Sequence, residues 1–177
     1  TGAISGSPPK QTCIAALVCA LLALETGAAN DWPMYRHDAG RRGVSEVVLP
    51  GNLSPVWSRQ LPELTPAFND SRLQFDAGYE PVVARGILLI ASSRTDSVTA
   101  YDAKTGEQKW CSYTNGPVRL APAIAGEVAC FGSDDGWRYC VALASGKLRG
   151  KLHAVPSQRR VLGDRGLISG WPVRGGR

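Results

Sequence analysis

The chain repeats itself. Residues 80–110, EPVVARGILLIASSRTDSVTAYDAKTGEQKW, align with residues 121–151, APAIAGEVACFGSDDGWRYCVALASGKLRGK; Pro81 falls on Pro122 and Gly106 on Gly146, offsets of 41 and 40 residues. A fixed period of this length constrains the fold more than any other feature. Each unit must be one supersecondary module that buries its apolar face only by stacking on its neighbour. Both units read alike. A short apolar segment follows Pro (82–84; 123–125), then a Gly turn and an apolar run (87–92; 128–132). A polar turn (94–97; 133–136) leads to a third run (98–102; 138–143), and a Thr-Gly or Ser-Gly turn leads to a fourth (107–113; 147–153).

Four short strands in about 40 residues are the pattern of a propeller blade. Such a blade covers only part of its own apolar surface, so neighbouring blades must stack face to face and a closed ring protects the edges. The expected fold class is therefore all-β, a β-propeller of four-stranded antiparallel blades with about two complete blades and an incomplete ring. Twenty Gly and twelve Pro in 177 residues fit the many tight turns this requires.

Ala100-x-Asp102-x-x-Thr105-Gly106-x-x-x-Trp110 resembles the tryptophan-docking repeat of quinoprotein-type propellers, the PQQ-like family named for pyrroloquinoline quinone, which includes BamB-like proteins. The resemblance implies that Trp110 wedges between blades, Gly106 shapes the turn and the Asp102 side chain hydrogen-bonds the turn backbone. The second unit departs from the pattern. Ala144 stands for Ala103, Ser145 for Thr105 after a one-residue deletion, and Gly150 or Lys151 falls near the Trp position, so its docking is expected to be degenerate and its blade looser. DWPMYRHDAGRRGVS (31–45) and LSPVWSRQL (53–61) resemble the lead-in segment and first outer strand of exported members, and GSDDGWRYC, AVPSQRRV and ISGWPVRGG resemble one large subgroup.

The expected organisation is a leader at 1–29, a lead-in segment and ring-closing strand at 30–61, blades at 80–117 and 118–157, and the start of another blade at 158–177, around Trp171 to Val173. The resemblance implies rings of about six to eight blades, within the general propeller range of about four to eight, so the chain is expected to be an N-terminal fragment of a longer propeller. Residues 14–24, IAALVCALLAL, follow Lys10 and precede TGAAN, the pattern of a secretory signal cleaved near Ala28 or Ala29, and are short for a membrane span. The expected location is periplasmic or secreted, with membrane contact only through the leader if it is uncleaved.

Charge is unevenly spread. Residues 138–177 hold nine Lys or Arg against Asp164 alone, a net +8, whereas residues 30–137 carry a net −3. The basic residues are dispersed singly through strands and turns without aromatic interleaving, so no nucleic-acid partner is expected. Three cysteines fall in the body, with no spacing that suggests zinc. A hairpin around SDDG places Cys130 and Cys140 on adjacent strands. A thiol pair is expected there in preference to a disulfide, because direct cross-strand geometry often strains the bridge.

Catalytic signals are few. A PQQ-dependent dehydrogenase resembling the known ones would show an adjacent Cys-Cys pair, a stacking Trp and a calcium-binding carboxylate set; no Cys-Cys pair is present. Asp134-Asp135-Gly136 is read as a hairpin turn before a calcium loop. His37 and His153 each lack a nearby Ser, Cys or metal-spaced partner, and the long loop at 63–76 reads as a binding loop or a variable insertion. No catalytic, cofactor or metal residue is assigned. The expectation is an exported scaffold that presents loops to a protein or carbohydrate partner. The alternatives are a quinoprotein alcohol or sugar dehydrogenase, whose PQQ and calcium would be held beyond Arg177, and a BamB-like assembly factor.

Overall fold

The computed structural model describes residues 31–68, 70–157, 159–163 and 167–174. The leader expected at 1–29 lies outside the described residues.

Two β-propeller blades follow one another. The first is β1 (Val82–Ala84), β2 (Ile87–Ser92), β3 (Ser97–Asp102) and β4 (Gln108–Tyr113); the second is β5 (Ala123–Ala125), β6 (Val128–Gly132), β7 (Trp137–Ala142) and β8 (Leu148–His153). Each is a four-stranded antiparallel meander in sequence order, and the described residues do not close a ring. The strands match those read from the repeat to within one residue. The registers superpose as well: Leu89↔Ala100↔Trp110 in the first blade corresponds to Cys130↔Cys140↔Gly150 in the second.

Period-two alternation decides which side chains meet. Val82, Ala84, Leu89, Ala91, Val98, Ala100 and Trp110 leave one face of the first blade, and Ile124, Ala129, Phe131, Tyr139, Val141 and Leu143 meet them from the second; all belong to one buried cluster. The core is thus the seam between blades, and each blade is too thin to have one of its own.

Four expectations are corrected. The one-residue deletion falls in the hairpin turn, between Ala91↔Val98 and Gly132↔Arg138, and not in the Gly turn. Gly106 N–H donates to Asp102 O and Gly146 N–H to Ala142 O, so Ala142 stands in the place of Asp102 and Leu143 in that of Ala103. Positive φ at Gly106 (73°) and Gly146 (68°) fixes the length of that turn, whereas a hairpin tip absorbs a deletion. Cys130 and Cys140 form a disulfide, with Cα atoms 4.2 Å apart. That is the close spacing of a directly opposed, non-hydrogen-bonded pair, which brings the sulfurs together. Residues 53–61 form no strand, because no ladder partner lies beside them among the described residues. Finally, a hairpin of β9 (Arg160–Leu162) and β10 (Leu167–Ser169) precedes Trp171 to Val173, which are not in a strand.

The lead-in segment lies along the inner strands. Trp32 forms an antiparallel bridge with Val83, and Pro33 O accepts from Ile124 N at 2.7 Å. The backbone edges of β1 and β5 are tied together there.

Candidate functional site

An up-and-down meander sorts its turns by end. The hairpin turns at 93–96 and 133–136 share one end with the described parts of the interblade connections at 62–81, 114–122 and 154–172. The Gly turns at 85–86 and 126–127 share the other with the Thr-Gly and Ser-Gly turns.

The connection end is built around Arg119. Its side chain is only 8% exposed, and its Nε donates to Asp134 Oδ2 at 2.6 Å. Its Nη1 donates to Thr65 O at 2.7 Å and to the Asp76 carboxylate. Asp76 also accepts from Ala67 N at 3.0 Å, and Arg174 Nε donates to Asp134 Oδ1 at 3.1 Å. Burial alone lowers the pKa of a guanidinium, but the hydrogen bonds it donates to Asp134 and Asp76 outweigh it and hold Arg119 above its ordinary value. Two Arg and two Asp from four separate segments therefore lock the long 62–81 connection onto the second blade.

The same lock shapes the surface. The Arg174 guanidinium lies 4.8 Å from the Phe75 ring centre and 5.8 Å from that of Phe68, and both rings are partly exposed. Leu73 and Trp171 are exposed on neighbouring parts of these connections. A groove of about 950 Å³ runs beside β5, lined by Tyr35, Arg41, Phe75, Ala121, Ala125 and Arg138 among others.

Asp134 and Asp135 serve the turn. Asp134 is bound by the two arginines, while Asp135 accepts from Trp137 N at 3.0 Å and from the Tyr139 hydroxyl. Burial, and then the Asp135 carboxylate, push the Tyr139 pKa up. These donors already occupy the oxygens a calcium ion would need. Among the described residues no group of three or more His, Cys, Asp or Glu could hold a metal ion. His37 packs edge-on to Trp32 and His153 edge-on to Trp137, and Cys111 is a free thiol accepting from Thr99 Oγ1 at 3.4 Å.

The motif residues lie at the opposite end and in the seam. Asp102 Oδ1 accepts from Lys104 N at 2.9 Å and Thr105 N at 3.1 Å, and Thr105 Oγ1 accepts from Glu107 N at 3.2 Å. Ala100 sits opposite Trp110 in the ladder. Trp110 Nε1 donates to Leu143 O at 2.8 Å, and its ring covers Gly146, where a Cβ would stand 2.6 Å away. Trp57 does the same one blade earlier: Nε1 donates to Ala103 O at 3.1 Å, and a Cβ on Gly106 would stand 2.7 Å from its ring. Both acceptors and both glycines are 40 residues apart, so residues 53–61 hold the position of a preceding blade's outer strand against the first blade.

Sequence reasoning missed the Arg119 cluster. Asp76 and Arg119 are 43 residues apart and carry no motif, and the only signal was the long connection itself.

A family model described as "Outer membrane protein assembly factor BamB" matches residues 48–157. No curated protein sequence matches the chain. Among solved structures, BamB from Moraxella catarrhalis is 18% identical, with 38% of this chain and 20% of that one covered and a TM-score of 0.36. A quinohemoprotein alcohol dehydrogenase from Comamonas testosteroni is 22% identical, covering 73% and 20%, with a TM-score of 0.49. A europium-containing methanol dehydrogenase is 18% identical, covering 77% and 24%, with a TM-score of 0.48. The chain therefore spans between 20% and 24% of the length of these structures.

Proposed function

Because the chain belongs to the family of PQQ-like β-propellers described by the outer membrane protein assembly factor BamB, we propose that it is an exported, periplasmic or secreted scaffold that binds a protein partner through the connection end of its blades. The observation that carries this reading is the Arg119 cluster. It commits the buried charges of that end to holding a long loop in place, and it leaves Phe68, Phe75, Leu73 and Trp171 at the surface. A rigid platform edged with aromatic side chains suits partner recognition, where aromatic anchors supply most of the binding energy. The commitment of Asp134 and Asp135 to arginines, a tyrosine and backbone N–H groups weighs against a calcium-assisted quinone site in this part of the chain.

A photo-crosslinking side chain at Phe75 tests the reading against one at Lys104, at the other end. The expected outcome is a discrete crosslinked envelope protein from Phe75 only. Equal labelling from both positions, or none from Phe75, contradicts it. Titration with PQQ and calcium is expected to leave the absorption spectrum of the protein unchanged.

A further inference from the structure

The basic residues that the connection end does not use gather on the second blade. From 136 to 153 there are four Lys or Arg, Arg138, Lys147, Arg149 and Lys151, and no Asp or Glu, whereas the corresponding part of the first blade is mixed. Register shows how the charge becomes free. In the first blade Lys109 on the outer strand is neutralised by Asp102, Nζ to Oδ2 at 3.1 Å. In the second, Arg149 takes the place of Lys109, Ala142 that of Asp102, and Lys147 that of Glu107. Neither Lys147 nor Arg149 has an ion-pair partner among the described residues. Lys151 lies over the Trp137 ring at 4.4 Å and has no ion-pair partner among the described residues.

The strand that carries these charges also has a free backbone edge. Among the described residues β8 pairs only with β7, and residues 148–152 are all exposed. Lysines on an edge strand ordinarily discourage pairing, but β8 does not follow that logic throughout. Leu148, 52% exposed, replaces the Gln108 of the first blade, and Gly150, with open space where a Cβ would be, replaces Trp110. A purely protective edge has no use for an uncovered leucine.

We propose that the free edge of β8 docks an extended, acidic polypeptide segment, which adds to the second blade as a fifth antiparallel or parallel strand. Its backbone satisfies the open edge of β8, its carboxylates meet Lys147 and Arg149, and an apolar side chain lies against Leu148. This rests on the reading of the chain as a protein-binding scaffold, but uses a different surface from the connection end.

The probes are a short peptide alternating Glu with Val, its counterpart with Lys for Glu, and vesicles rich in anionic phospholipid. The Glu-Val peptide is expected to bind the 177-residue chain and slow amide exchange across residues 148–153, with the Lys-Val peptide inert. The K147E/R149E variant, both positions being at the surface, is expected to bind about tenfold more weakly, from two exposed charge pairs reversed. Failure to bind, protection elsewhere, or unchanged affinity in the variant overturns the proposal. So does binding to anionic vesicles without binding to the peptide, which would make the charge a membrane contact. Any of these results accompanied by crosslinking from Phe75 removes the β8 proposal and leaves the scaffold reading intact.

Discussion

Asp102 and Trp110 close one motif but do different work. Asp102 is an Asx-type turn residue, and its carboxyl is held below the ordinary 3.8 by the Lys109 ammonium, then by the Lys104 and Thr105 N–H groups. Its folded-state value is depressed, so its contribution is complete above the unfolded-state pKa and is lost as pH falls through the folded-state value. The amide shifts of Lys104 and Thr105 are therefore expected to stay constant from neutral pH down to about 4 and to move only below it; a transition near pH 6 would contradict this. Arg119 is the other decisive residue. Removing its side chain leaves Asp76 buried with only the Ala67 N–H and Asp134 with only Arg174, and Arg119→Ala should cost about 3 to 5 kcal/mol. A loss under about 1 kcal/mol in denaturant unfolding would mean that the cluster does not hold the loop. Motif residues were legible in the sequence because their partners lie within a few positions of them or one period away. Arg119 was not, because a pairing across 43 residues leaves no local trace.

Strands and turns were the most legible level. Alternation and Gly turns place all eight blade strands, since a strand with one face in the seam must keep its apolar side chains in register. The errors came where a segment needs a partner that the sequence does not specify. Residues 53–61 read as a strand and have no ladder, and β9 and β10 are an insertion with no counterpart in the first unit. The Cys130–Cys140 bridge stands at the ladder position of Leu89 and Ala100, next to the Gly150 that replaces the wedge. The second blade thus has a covalent tie where the first has an indole. Replacing both cysteines by Ser should cost about 2 to 3 kcal/mol for a closed loop of this size, and should raise exchange in β6 and β7 above that in β2 and β3. Equal exchange in the two blades would show that the bridge is not what secures the second.

At the scale of the whole molecule, the seam is complete once and approached twice. Trp57 brings residues 53–61 onto the near face of the first blade, and the far face of the second carries Ala123, Cys130, Gly132, Arg138, Cys140 and Gly150 where the first carries its apolar set. Leu152 and Leu162 are exposed beside that face. The 177-residue polypeptide in isolation is therefore expected to associate as concentration rises in sedimentation, since open blade faces and edges seek cover; a monomer with a sharp thermal transition at all concentrations would contradict this.

The central claim is that one blade is fastened to the next by Trp110 seated on Gly146. Trp110→Ala removes a buried aromatic and should cost about 3 to 5 kcal/mol, whereas Gly146→Ala drives a methyl group into the indole and strains a positive φ. A double-mutant cycle of the two measures the contact directly. The clash disappears once the indole is gone, so the double variant should be more stable than the sum of the single losses by about 1 kcal/mol or more. Losses that add to within about 0.5 kcal/mol would contradict the seam as described.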